Sequence, residues 1–123
     1  MAEILSLGYE QILKAIDPNG THKDFNTIEL SDDTGEAVLR RTTSDDSVSV
    51  TTTAGNNPMT LEITVNGDDP DVTLSQTFGG STVFCEDEDG SEVTPEESFS
   101  NVTLEDTADQ LVVEHDIEVP EIV

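Results

Sequence analysis

The sequence predicts a mainly β protein: an antiparallel β-sandwich of short strands with one N-terminal α-helix. Three observations predict it. Residues 5–16, LSLGYEQILKAI, place Leu5, Tyr9, Ile12, Leu13 and Ile16 at i, i+4, i+7, i+8 and i+11, one face of a helix. Later stretches alternate apolar and polar residues with a period of two. Turn signals recur at intervals of roughly ten residues and divide the rest into roughly six to eight short strands, the spacing of a sandwich or barrel. A length of 123 residues suits one domain over 1–123, with the helix at 5–16 and the β domain at 25–119.

The elements follow in order. Asp17-Pro18-Asn19-Gly20 ends the helix, because proline cannot continue it and Asn-Gly favours a turn. Residues 25–30, FNTIEL, read as a first strand, closed by the turn residues Ser31-Asp32-Asp33-Thr34-Gly35. Residues 36–41, EAVLRR, fit a short strand or a helical turn equally well. Residues 47–53, SVSVTTT, are alternating and β-branched, hence a strand. After the turn Gly55-Asn56-Asn57-Pro58, residues 59–65 set Met59, Leu61, Ile63 and Val65 on one face, the clearest half-buried strand in the chain. Val72, Leu74, Gln76 and Phe78 continue such an alternation after Asn66-Gly67-Asp68-Asp69-Pro70, which predicts a hairpin with 59–65. Gly79-Gly80 reads as a break before residues 81–85. Residues 99–104 and 111–119 supply the last strands, and Pro120 ends the final one.

Charge bounds the partners. There are 28 Asp and Glu against 4 Lys and Arg, a formal net charge of -24. The basic residues are Lys14, Lys23, Arg40 and Arg41. Direct binding to nucleic acid needs a basic footprint, and so does a bare anionic membrane; both are excluded as expected partners. An acidic chain with 33% hydrophobic and 4% aromatic residues is either disordered or folded in concentrated salt. The acids are interleaved with apolar runs such as LEITV and LVVEHDIEV rather than gathered in a tail, which favours a folded, salt-adapted surface. At 1 M salt the Debye length is roughly 3 Å, so repulsion between carboxylates is largely screened. The N-terminus lacks a basic region before its apolar residues, so Sec-type export is not expected.

No catalytic motif stands out, and the expectation is a non-enzyme. There is no G-x-S-x-G elbow and no phosphate-binding glycine loop. Cys85 is the one cysteine, and the acidic run after it would raise its thiol pKa. His22 falls in a turn beside Lys23; His115 falls on the apolar side of the last strand, a core or interface position. In CEDEDGSEVTPEE, residues 85–97, the oxygens of Asp87, Asp89 and Glu96 offer a weak site for Ca, Mg or K. Cys85 in the first ligand position and Pro95 before any following helix argue against an EF-hand, and a solvated acidic hairpin is the preferred reading. No cofactor is expected.

In outline the chain resembles a group of small structural proteins of tailed viruses. These open with a short helix and a Phe-x-x-Ile strand, here Phe25 and Ile28. They close with a strand pair whose matching positions here are Phe99, Val102, Asp109, Leu111, Val113 and Ile117. Ser31-Asp32-Asp33-Thr34-Gly35 stands where such proteins commonly carry Gly-Thr-Gly-Thr, and His115 where they often carry an aromatic residue. With the acidic surface, the resemblance implies a virion protein of a virus of halophilic archaea, repeated in the capsid surface or tail. It implies as partners further copies of itself and other virion structural proteins. The alternative is a cellular acidic binding module, cation-dependent, in the cytoplasm of a halophilic archaeon. The helix face is expected to cover the sheet and, through Leu5, Tyr9 and Ile12, to touch a neighbouring subunit.

Overall fold

In a computed structural model that describes residues 4–85 and 92–120, one helix precedes seven strands. They are α1 (Ser6–Ile16), β1 (Thr27–Ser31), β2 (Ala37–Thr42), β3 (Val48–Val50), β4 (Met59–Asn66), β5 (Gln76–Phe84), β6 (Glu97–Leu104) and β7 (Gln110–Ile117). The strands form two antiparallel sheets, ordered β2-β1-β5-β6 and β3-β4-β7, packed face to face as a small β-sandwich. Among the described residues no helix is long and apolar enough to cross a membrane.

Alternation decides which side chains meet between the sheets. Leu61, Ile63 and Val65 of β4 are fully buried, while Thr60, Glu62 and Thr64 between them are half-buried. β7 buries Leu111, Val113, His115 and Ile117 and exposes Gln110, Val112 and Glu114. The two strands pair antiparallel from Met59 with Ile117 to Asn66 with Gln110. A one-residue slip would turn both apolar sets to water, so burial fixes the register. The opposing sheet contributes Ile28, Leu30, Phe78 and Val83 to the same core, each with no exposed surface.

Acidic side chains also close turns. Asp32 Oδ1 accepts from the Thr34 amide at 2.8 Å, the Thr34 hydroxyl at 2.7 Å and the Glu36 amide at 3.0 Å, tying off the β1–β2 hairpin. Asp45 does the same for Ser47, and Asp109 accepts from the amides of Glu105 and Asp106 before β7. These are Asx-type turns, in which a short carboxylate replaces a backbone acceptor. The Thr34 hydroxyl, foremost, holds the Asp32 carboxyl below its usual range, and the Ser47 hydroxyl does so for Asp45.

Three sequence expectations are corrected here. First, residues 72–78 do not form a hairpin with β4. Residues 71–75 are irregular, and β5, beginning at Gln76, pairs with β1 and β6 in the opposite sheet. The connection is drawn across by Arg41 on β2. Its guanidinium donates to Asp69 Oδ2 at 3.2 Å and Oδ1 at 3.1 Å, and also to Asp71. Second, Gly79-Gly80 does not break the strand. β5 runs through both, with an irregularity in its pairing to β6 between Phe78 and Gly80. A Cβ at Gly80 would stand 2.8 Å from both Glu96 Cδ and Ser31 Oγ, so the bare backbone makes room for neighbours on both sides.

Third, residues 85–97 are not a wholly solvated hairpin. Val93 and Thr94 have no exposed surface. The Val93 amide donates to the Val83 carbonyl at 2.9 Å, and the Val93 carbonyl accepts from the Leu5 amide at 2.7 Å, where the helix begins. The acidic segment therefore returns to the core and anchors α1. Residues 36–41, open between strand and helical turn in the sequence, are strand β2 for nearly their whole length.

Candidate interaction site

The helix docks by a face other than the one its hydrophobic residues define. Ile4, Gly8 and Gln11 are buried, whereas Tyr9, Leu13 and Ile16 are 41%, 63% and 74% exposed. At about 100° per residue, the buried stripe and the apolar stripe lie roughly a third of a turn apart. Glycine makes the observed docking possible. A Cβ at position 8 would lie 2.6 Å from Ile4 Cγ2, 3.2 Å from Phe25 Cζ and 3.3 Å from Val93 Cβ. Gln11 is buried at low cost because its Oε1 accepts the Lys23 amide at 2.8 Å, which ties the segment after the helix back to α1. The expectation that Leu5, Tyr9, Ile12, Leu13 and Ile16 together cover the sheet is thus corrected. Leu5 and Ile12 are half-buried at the margin, and the other three face outward.

Beside this outward stripe runs a groove of about 580 Å³. One wall is the α1 flank at Gln11, Ile12 and Ala15; the segment from His22 to Asn26 closes one end. The other wall is Val48, Ser49 and Val50 of β3, an edge strand, with Met59. Two further hollows extend it past Gly55 and Asn56, one toward Ile117 and Val119, and all three share Met59. Among the residues lining all three, only Asp24 is acidic, and it lies 3.3 Å from His22 Nε2. The helix carries one acid, Glu10, and one base, Lys14, 3.1 Å apart. In a chain of charge -24, the groove lining carries one acid, Asp24, with Lys23 and His22 beside it.

A polar cluster lies at the centre of the sandwich. His115 has no exposed surface; Ser81 Oγ is 2.7 Å from its Nδ1 and Thr94 Oγ1 3.1 Å from its Nε2. Glu97 Oε2 lies 3.7 Å from Nε2. Serine, histidine and glutamate in this order suggest a nucleophile relay. Ser81 is 2% exposed and Thr94 and His115 not at all, so no substrate reaches them. The hydroxyl rotors of Ser81 and Thr94 satisfy either tautomer of a neutral ring. Burial above all holds the imidazole below its ordinary value, against opposing pulls from Glu97 and Asp116. The cluster is core structure, as the position of His115 on the apolar side of its strand predicted.

The expected cation loop is only partly in view. Asp87 and Asp89 lie outside the described residues. Glu96 accepts the Ser31 hydroxyl at 2.6 Å and packs over Gly80, bracing the start of β6 against β1. Among the described residues there is no group of three or more His, Cys, Asp or Glu that could hold a metal ion. Cys85 is buried in the core cluster. Arg40 donates to Glu29 from Nε at 3.0 Å and Nη2 at 2.9 Å, with its guanidinium 3.9 Å above the Phe84 ring.

The groove is formed by residues far apart in sequence. Gly8 and Gln11 carry no hydropathy signal for burial. The signal that was available is the excess of apolar residues on a helix whose docking stripe contains a glycine and a glutamine. Comparisons with protein-family models, with curated protein sequences and with solved structures find no match to this chain.

Proposed function

We propose that the chain is a non-catalytic structural subunit of a virion, that of a tailed virus of halophilic archaea, repeated in the capsid surface or tail. The observation that carries the assembly reading is the outward stripe Tyr9, Leu13 and Ile16 beside a near-neutral apolar groove. Leu13 and Ile16, more than half exposed, each forgo part of the about 1.5–3 kcal/mol that full burial of such a side chain supplies. In a chain with 4% aromatic residues, three large apolar side chains on one exposed flank are best accounted for by a covering protein. The polar groups that suggest chemistry are otherwise engaged: His115, Ser81 and Thr94 in the core, Glu96 on Ser31, and the arginines on carboxylates.

The virion setting is supported by the outline resemblance and by the acidic surface. Concentrated salt shortens the Debye length to roughly 3 Å at 1 M, which lets like-charged subunits approach, and excluded salts strengthen apolar contacts. The deciding experiment is mass spectrometry of purified particles of halophilic tailed viruses. The chain is expected at a stoichiometry of many copies per particle. Its absence from particles whose genomes encode it overturns the proposal.

A further inference from the structure

We propose that α1 is held by an acid-sensitive latch: protonation of His115 detaches the segment carrying Val93 and Thr94, and with it the helix, before the sandwich unfolds. The inference is independent of the assembly reading above.

The latch is a short chain of contacts. Thr94 Oγ1 lies 3.1 Å from His115 Nε2 and accepts the Val83 amide at 3.2 Å. With that amide on one lone pair, the Thr94 hydroxyl hydrogen is free to go to Nε2. Nδ1 is then the protonated nitrogen and donates to Ser81 Oγ at 2.7 Å. One residue earlier, the Val93 carbonyl accepts the Leu5 amide at 2.7 Å. Val93 and Phe25 also crowd the Cα of Gly8, and neither belongs to a strand. The helix is thus coupled to the ring through two consecutive residues of an irregular segment.

A second proton on the ring, taken from solvent, reverses one bond. Nε2 becomes a donor and meets the hydrogen of a hydroxyl that was donating to it. Thr94 has to turn that hydrogen away, and its segment loses its bond to β7. Glu97 Oε2 on β6, 3.7 Å from Nε2, is drawn toward the imidazolium beside Thr94. Asp116 on the ring's own strand also favours the proton, and the chain's amino group opposes it. β4 sets Leu61 across from His115 and β5 sets Ser81 against it, neither of them charged. A charge enclosed without water is costly, so the proton is bound more tightly once the segment opens. That segment yields first because its hold is local. Val93 and Thr94 bond to Val83 alone among the strand backbones, whereas β4 and β7 are paired over their whole length.

The test is amide hydrogen exchange on the full chain in multimolar KCl. Protection of the α1 amides, corrected for intrinsic rate, is expected to fall by up to roughly tenfold per pH unit below about pH 6.5, the signature of one proton taken up on opening. The amides of β4 and β7 are expected to keep theirs. Tyr9 on α1 is the one tyrosine and the chain has no tryptophan, so tyrosine fluorescence anisotropy reports the helix and is expected to fall over the same range. His115→Gln is expected to abolish both responses, and His22→Gln, in an exposed segment, to leave them. Thr94→Val is expected to lower α1 protection by roughly three- to tenfold at neutral pH, the loss of one hydrogen bond, while Thr94→Ser keeps it. Protection lost from helix and strands together, no acid response in α1, a response that survives His115→Gln, or Thr94→Val and Thr94→Ser behaving alike overturns the inference.

Discussion

His115 and Gly8 show how much single residues decide here. Burial keeps the His115 imidazole neutral at pH values where the unfolded chain, titrating near 6.5, takes up a proton. The unfolded state then binds more protons than the folded one, so stability rises with pH through this window. Stability is full above about pH 6.5 and is expected to fall as the pH drops toward the depressed folded value. His115→Gln, which keeps a donor and an acceptor, is expected to flatten that slope below about pH 6.5. Urea unfolding across that range in constant KCl measures it, and an unchanged slope would reject the assignment. Gly8→Ala sets two effects against each other. Alanine gains about 1 kcal/mol of helix propensity, but its Cβ would sit 2.6 Å from the buried, β-branched Ile4. Overpacking of about 1–3 kcal/mol offsets or outweighs the gain, so a net loss in unfolding free energy of up to about 2 kcal/mol is expected.

At the scale of elements, strands were legible in the sequence where one face is buried and the other is wet. β4 and β7 alternate cleanly, and the structure pairs them over their whole length. Pattern alone did not reveal partners. The alternation of Val72, Leu74, Gln76 and Phe78 continues across a loop, and only the pairing of β5 with β1 and β6 in the opposite sheet shows that it is not one strand. The Arg41 clamp is testable. Arg41 and Asp69 have 15% and 16% of their side-chain surface exposed, whereas Asp71 has 60%. The shielded, two-pronged Asp69 contact therefore dominates, and the exposed Asp71 contact adds little. Asp69→Asn is expected to cost about 1–3 kcal/mol and to speed amide exchange over residues 67–75, while Asp71→Asn is expected to change little. Arg41→Lys is expected to restore only part, because an ammonium cannot make the paired contact. The helix was legible in existence and extent but not in orientation. The hydrophobic stripe marks the surface that needs covering, and here the covering of the core is done by Ile4, Gly8 and Gln11 instead. Val93 and Thr94 were hidden for a similar reason, as two core residues inside a run of acids.

For the whole molecule, the question is what the charge does to a sandwich with so few large side chains. The core is continuous across both sheets but is built mainly of Val, Ile and Leu, with Phe78 the largest fully buried side chain. Against it stands self-repulsion among 28 acids, offset by 4 bases. Some of the acids stabilise the fold locally, through the turns at Asp32, Asp45 and Asp109, and those contacts survive salt because they are short hydrogen bonds to specific donors. The remaining repulsion is long-ranged and is screened. The Debye length falls from about 10 Å at 0.1 M to about 3 Å at 1 M, below the spacing of most surface charges. Folding is therefore expected to depend steeply on KCl, with the midpoint of thermal unfolding rising by tens of degrees between about 0.1 and 3 M. Guanidinium chloride is unsuitable for this measurement because it screens as it denatures. A thermal melt followed by circular dichroism, repeated with NaCl and with an equal ionic strength of a less excluded salt, separates screening from the strengthening of apolar contacts. If screening dominates, the two salts give coincident midpoints at equal ionic strength. If core strengthening dominates, the more strongly excluded salt gives the higher midpoint. A spectrum that keeps its full strand signal at low salt, with no rise in midpoint, would show that the sandwich tolerates its charge unaided, and would remove the physical case for a high-salt setting.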